Sequence, residues 1–428
     1  MMWHSHRMKN LFVERNGRSV NGEETHLSMS QKYGLVADLC EKRMLSESYA
    51  GGKLCYKDDI VLNRLKAHLG VFALASIDGV ISPDYTVLKP NIDRVSPKYA
   101  EYFLRSDACR NDLRVRVRGV VEGFWRLYTE DFNTIRITLP PRHEQDIMVR
   151  YLDWKVSQIN KLINAKRRQI ALLREQRRIT IHEAVSKSAK GWENSRLITL
   201  TESVRAGAWG NDESINDVDM ICIRIADFDF ERLRIKDIQY TIRSYKNLII
   251  DKLLLRDGDI LIEKSGGGDN QPVGRVVLFD KSISALYANF IEAIRTNKKV
   301  LPEYLVYVLA SQYYKEVNRL HFNQTTGLQN LSVRSYLRES LMLPPLAEQR
   351  LIVRKLNDSC KHIDNIISKI NDELALFVEY RIRLISDVVT GKLDVSGVVV
   401  PEYDVVEGVW GNSCNEDSDF NYIEEGYE

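Results

Sequence analysis

Leu139-Pro140-Pro141-Arg142-His143-Glu144-Gln145 returns as Leu343-Pro344-Pro345-Leu346-Ala347-Glu348-Gln349. The copies lie 204 residues apart, close to half of the 428-residue chain. Each opens a long stretch whose apolar residues recur at alternating spacings of four and three. A repeat on that scale divides the chain into two related halves, so one half should do to one thing what the other does to a second.

The match extends past the Pro-Pro signature. At the same offset, Val149/Val353, Arg150/Arg354, Leu152/Leu356, Ile159/Ile363, Ile163/Ile367, Ala171/Ala375, Leu172/Leu376, Glu175/Glu379, Arg177/Arg381 and Ile181/Ile385 are identical. Upstream, Pro97-Lys98-Tyr99-Ala100-Glu101-Tyr102 parallels Pro302-Glu303-Tyr304-Leu305-Val306-Tyr307 at offset 205, and Asp59-Ile60 parallels Asp259-Ile260 at offset 200. The five-residue drift fits an insertion around Ser265 to Asn270. The repeated unit is therefore a globular domain together with its helix.

The helical stretches carry heptad seams: Leu152, Val156, Ile159, Ile163, Lys166, Ile170 and Leu173 in one, and Leu356, Cys360, Ile363, Ile367, Ile370, Leu374, Phe377, Arg381, Leu384 and Val388 in the other. Neither seam meets Pro or Gly before Gly191 and Gly391, where glycine is a common helix stop. A helix from Glu144 to Lys187 would be roughly 65 Å long at about 1.5 Å per residue. Globular helices average only about 11–12 residues, so two long helices pairing antiparallel as a coiled-coil spacer are expected. The fold class is α+β, with two related α/β domains separated by those helices. The expected boundaries are 1–138 and 191–342 for the domains, 139–190 and 343–392 for the helices, and 393–428 for an acidic tail read as flexible.

Composition is that of a globular chain, with 44% hydrophobic and 28% charged residues. No run of about 18 apolar residues suggests a membrane span. The N-terminal Met1-Met2-Trp3-His4 lacks the apolar stretch of a signal peptide. Six scattered cysteines without a Cys-x-x-Cys pair suit a reducing cytoplasm. The net charge of +2 hides a split: residues from Leu393 onward hold ten acids and no Lys or Arg, so the remainder carries +12. A positive body fits a polyanion partner.

Candidate readers of such a partner cluster ahead of each Pro-Pro signature. In the first half these are Arg64, Lys66, Arg116, Arg118 and Arg126, around Trp125. In the second they are Lys264, Arg275, Gln324, Thr325, Gln329 and Asn330. Arg and Lys suit guanine edges, Asn and Gln suit adenine, and Thr can meet a thymine methyl. Catalytic signatures are missing: no phosphate-binding Gly-x-x-x-x-Gly-Lys loop, no Asn/Asp-Pro-Pro-Tyr/Phe motif and no metal cluster is legible. Gly266-Gly267-Gly268 precedes a strand instead of a helix, and Asp58-Asp59 and Asp257-Gly258-Asp259 read as turns before strands.

Two halves that each end in Leu-Pro-Pro-x-x-Glu-Gln and a heptad helix resemble the specificity subunit of type I restriction-modification systems. The likeness covers nearly residues 10 to 392, and includes Leu27-Ser28-Met29-Ser30-Gln31-Lys32-Tyr33-Gly34, Ser82-Pro83-Asp84-Tyr85, Lys264-Ser265-Gly266-Gly267 and Pro272-Val273-Gly274-Arg275. The resemblance implies a non-catalytic subunit whose two target recognition domains each read half of a split, asymmetric double-stranded DNA sequence. It further implies two methyltransferase subunits docked on the helices and a restriction and motor subunit that joins for cleavage. S-adenosylmethionine, ATP and magnesium would belong to those partners, with none held by this chain. The acidic tail departs from the pattern. Competing classes are a divergent DNA methyltransferase or nuclease and a coiled-coil scaffold without a DNA role. Half-sites about one helical turn apart, roughly 34–36 Å, would suit readers on one DNA face.

Overall fold

The structure is a computed structural model describing residues 3–30, 34–37, 49–119, 125–212, 217–268, 271–325 and 328–406, with the side chains of Ser30, Gln324 and Thr325 outside that description. Its chain forms two compact units, Met1–Arg168 with Lys369–Glu428, and Gln169–Ser368. Each unit contains one globular domain and one stretch of paired helix.

In the first unit a four-stranded antiparallel sheet runs Phe12–Glu14, Tyr85–Pro90, Ile60–Asn63, Phe72–Leu74. Val61, Val87, Ala75, Ile81, Cys55 and Leu27 form one apolar cluster of its domain. Helix Pro97–Arg105 starts on its proline, where the missing N–H costs nothing. In the second unit a six-stranded sheet has Ile260–Glu263 between Ile291–Thr296 and Val276–Leu278. Helix Pro302–Tyr314 contributes Tyr304, Leu305, Val308 and Leu309 to the core beneath. Asp59 and Asp259 are the turn residues expected of them: each carboxylate accepts the main-chain N–H three residues back, from Tyr56 at 2.9 Å and Arg256 at 2.8 Å.

The Pro-Pro signature turns out to be a joint, built the same way twice. Ahead of it, His4–Arg7 pairs with Arg136–Leu139, and Glu193–Arg196 pairs with Ser340–Leu343, with His4 opposite Leu139 and Glu193 opposite Leu343. The residue before each first strand is a tryptophan. Trp3 donates its indole N–H to Glu144 at 3.2 Å, and Trp192 donates to Glu348 at 2.9 Å. The following glutamines are fully buried. Gln145 Oε1 accepts from Ser96 N at 2.8 Å while its Nε2 donates to Arg94 O at 2.9 Å and Pro140 O at 3.0 Å. Gln349 does likewise with Leu301 N at 2.9 Å, Lys299 O at 3.1 Å and Pro344 O at 2.9 Å. Three main-chain groups that the helix start leaves without partners are thus satisfied by one side chain. Glutamine, with an acceptor and two donors on one planar end, suits the position in a way Glu cannot.

The long helices span Arg142–Val185 and Leu346–Val389. Each is 44 residues; the first has the length expected and is shifted two residues from the anticipated Glu144 to Lys187. The seam residues Leu152, Val156, Ile159, Ile163, Ile170, Leu356, Ile363, Ile367, Ile370 and Leu374 are all buried, each such side chain contributing about 1.5–3 kcal/mol on full burial. Pairing is antiparallel: in the first unit Asn160 meets Arg381 and Lys166 meets Glu373, one series rising as the other falls. In the second unit Arg177 forks onto Asp364. Gly391 follows the second helix in the left-handed region, its N–H bonded to Val388 O at 3.0 Å, and a Cβ there would meet the Trp3 ring at 2.6 Å. The first helix ends six residues before Gly191, a difference from the expected stop. Ser186 turns its hydroxyl back to His182 Nδ1 at 2.9 Å, and small polar residues that bond locally end helices readily.

Residues 393–406, assigned from sequence to a flexible tail, carry ordered contacts. Ser157 and Asn160 bond the main chain of Asp404 and Val406. Residues 407–428 lie outside the described part of the chain. No helix among the described residues is long and apolar enough to cross a membrane.

Candidate DNA-reading surfaces

In the first unit, residues 118 and 126 form an antiparallel bridge, Arg118 N to Arg126 O at 2.9 Å and the reverse at 2.8 Å. Leu127 N then bonds Arg64 O at 3.0 Å, which lays this bridge beside the turn after strand Ile60–Asn63. Asn63 shapes that turn by accepting the N–H groups of Leu65 at 3.0 Å and Lys66 at 3.2 Å. The result gathers Lys66, His68, Arg118, Trp125 and Arg126 on one surface. Trp125 is 39% exposed and meets His68 edge-on at 5.2 Å. Burial and then the charge of Arg114 push the His68 imidazole below its ordinary value.

The predicted readers of this half divide. Lys66 is exposed, with no carboxylate partner among the described residues. Arg118 is 70% exposed and pairs with Asp131; Arg126 lies 3.5 Å from Asp84. Arg116 is tied to the end of its own helix through Asp112 O at 2.7 Å. Arg64 is committed inward, donating to Thr86 and to Glu14 at 3.0 Å. Glu14 also takes Lys53 at 2.9 Å and Thr129 at 2.7 Å. Burial opposes its charge, yet the donors Thr129, Lys53 and Arg64 together hold the carboxyl below the usual range. Arg64 is framework.

In the second unit the matching place holds a hairpin, Phe322–Thr325 with Leu328–Leu331, extended by Ser265–Gly266. Here more of the predicted readers serve the fold. Arg275 forks onto buried Glu263 at 2.8 and 3.0 Å and lies over Phe230 at 3.8 Å. Gln329 is buried and accepts Val273 N at 3.4 Å. Asn330 Oδ1 accepts from Ser265 Oγ at 2.6 Å. Lys264, 34% exposed, lies 3.5 Å from Glu292. The strand positions of Gln324 and Thr325 are described but their side chains are not. Sequence reasoning missed Trp209, 40% exposed with the Arg243 guanidinium 4.8 Å over its ring. Arg205-Ala206-Gly207-Ala208-Trp209 held the signal, an aromatic amid small residues.

Residues 189–376 match the model of the type I restriction modification DNA specificity domain. The chain is 24% identical over 298 residues to the type I restriction enzyme StySPI specificity subunit of Salmonella potsdam. The match covers the second half of the chain, beginning just ahead of Trp192 and ending within the second long helix. The Salmonella alignment covers 65% of this chain and 62% of that relative, less than two thirds of its length. The EcoKI specificity subunit of Escherichia coli K12 is also 24% identical, with 65% and 61% covered. A solved chain from work on assembly and conformational transition of the type I R-M system superposes with a TM-score of 0.66 at 16% identity, covering 92% of this chain and 98% of that one. That likeness establishes the fold.

Proposed function

We propose that this chain is the specificity subunit of a type I restriction-modification complex, which reads a bipartite, asymmetric DNA target, one half-site per globular domain, and directs adenine methylation or ATP-dependent cleavage performed by partner subunits. It supplies recognition and no chemistry of its own. Two methyltransferase subunits and the restriction and motor subunits are the partners; they would bring S-adenosylmethionine, ATP and magnesium. The observation that carries this reading is the matched antiparallel pairing, Arg118 with Arg126 in one half and Phe322–Thr325 with Leu328–Leu331 in the other, set at the same place before the same glutamine joint. Its side chains differ between halves: Arg118, Trp125 and Arg126 in one, Asn323 and Leu328 in the other. Equal placement with unequal chemistry is what reading two different sequences requires.

The test is a domain exchange. Residues 195–340 would be replaced by the matching segment of a relative with a known target, and methylated adenines mapped across a host genome. One half-site should change while the other half-site and the gap stay as they were. A change in both half-sites, or a continuous target, would refute the two-reader model.

A further inference from the structure

The chain after the second long helix is held in the first unit by two side chains. Ser157 Oγ donates to Asp404 O at 2.9 Å and accepts from Val406 N at 2.8 Å. Asn160 Nδ2 donates to Val406 O at 3.1 Å. Lys161 adds a looser contact, 3.8 Å from Asp404. Ser157 and Asn160 are both buried. They grip main chain much as a neighbouring strand would, so the grip is indifferent to the side chains of the strap.

Asn160 works on two sides. Its Oδ1 accepts from Arg381 at 2.8 Å, within the helix seam. The repeat places Asp364 where Asn160 stands and Arg177 where Arg381 stands, 204 residues apart in each case. In the second unit the aspartate takes its arginine by two hydrogen bonds, and Arg232 approaches it at 3.7 Å. A carboxylate at 160 could also accept from Arg381, but it has no hydrogen to give Val406. The amide serves both. The cost falls on Arg381, 3% exposed, whose charged neighbours include Arg167 and Arg105; burial first, then those charges, push it down to about 10.

What the strap leads into is strongly charged. Residues 407–428 contain seven acids (Glu407, Glu416, Asp417, Asp419, Glu424, Glu425 and Glu428) and no Lys or Arg. Twenty-two residues reach at most ~75 Å. Asn160 stands roughly 27 Å along its helix from Arg142, so the segment can return to the globular domain of its own unit. There, Lys66 and Arg114 are exposed without carboxylate partners among the described residues, and Arg118 is 70% exposed.

We propose that residues 403–406 are a latch, held by Ser157 and Asn160, that tethers an acidic segment where it competes with DNA phosphates for Lys66, Arg114 and Arg118. The inference rests on the reading of that surface as DNA-binding. A tethered competitor acts at millimolar effective concentration. It weakens phosphate contacts, which carry non-specific affinity, and leaves base contacts unimitated. The net result is a subunit that discriminates better by binding random DNA less.

The test measures anisotropy of a labelled random-sequence duplex against salt. It compares the full chain, a chain ending at Val406, a full-length chain with the seven acids changed to Asn or Gln, and Asn160→Asp. The shortened and neutralised chains should each bind at least ~5-fold tighter at low salt. Their salt slope should steepen by about 0.9 for each of three freed cations. Asn160→Asp should fall between them and the full chain, with melting unchanged or raised because Arg381 gains a carboxylate. If the full chain binds DNA and both altered tails leave affinity and slope unchanged, the competitor is refuted. If the tails behave as expected while Asn160→Asp matches the full chain, the latch is refuted. If no form binds DNA in a salt-dependent manner, the underlying reading of the surface fails instead.

Discussion

Replacing Gln145 or Gln349 by Met keeps the length and shape of the side chain and removes every polar contact it makes. Each glutamine satisfies three main-chain groups at 0% exposure. A buried main-chain group left without a partner costs about 1–3 kcal/mol. For Gln145, the contacts to Ser96 and Pro140 are fully buried and that to Arg94 is partly so. For Gln349 only the contact to Pro344 is fully buried. Water can soften the partly buried losses, so we expect a loss of about 4–6 kcal/mol for Gln145→Met and about 3–4 kcal/mol for Gln349→Met. Against a domain stability of about 5–15 kcal/mol these are severe. Urea unfolding followed by tryptophan emission is the assay, since Trp3 and Trp192 bond the neighbouring Glu144 and Glu348. A loss below about 1 kcal/mol at either position would refute the claim that the glutamine completes the joint.

Two further outcomes follow from the paired differences between the halves. Asp364→Ala should cost about 3–5 kcal/mol by stranding the buried Arg177 charge, whereas Asp364→Asn should cost clearly less, because it reproduces the Arg381–Asn160 arrangement already present in the other unit; equal losses in urea titrations would contradict this. Tyr102 donates to Asp153 at 2.7 Å where Tyr307 donates to Asn357 at 2.7 Å, and burial raises the Asp153 carboxyl above its ordinary value. A raised folded pKa means that protonation favours the fold, so the native protein should gain stability relative to Asp153→Asn as pH falls through that raised value toward the ordinary carboxylate range, and Asp153→Asn should be neutral or stabilising at pH 7. A native protein that lost ground to the variant on acidification would reverse the sign of the argument.

The duplication, the helix lengths and the seam were legible because apolar periodicity is a local property of sequence, and Leu152 to Leu374 obeyed it. The reader residues were legible in place and poorly legible in role. Arg275 and Arg118 look alike in sequence; only the fold reveals that one faces Glu263 in the interior and the other stands 70% exposed. The partner that internalises Arg275 is twelve residues away, at the end of strand Ile260–Glu263, and no local pattern announces it. The tryptophan of each joint escaped notice for another reason. Trp3 and Trp192 lie 189 residues apart, so an offset of 204 does not align them. The strap was misread because acidity suggested looseness, while its capture uses main-chain atoms, which leave no trace in composition.

Gly191 and Trp192 are joined by a peptide bond at the entrance to the second half. At the entrance to the first half the same two residue types meet through space, Gly391 against the ring of Trp3. Glycine beside tryptophan therefore recurs at both entrances, once along the backbone and once by folding, so a substitution at Gly391 should disturb the indole of Trp3 although 388 residues separate them.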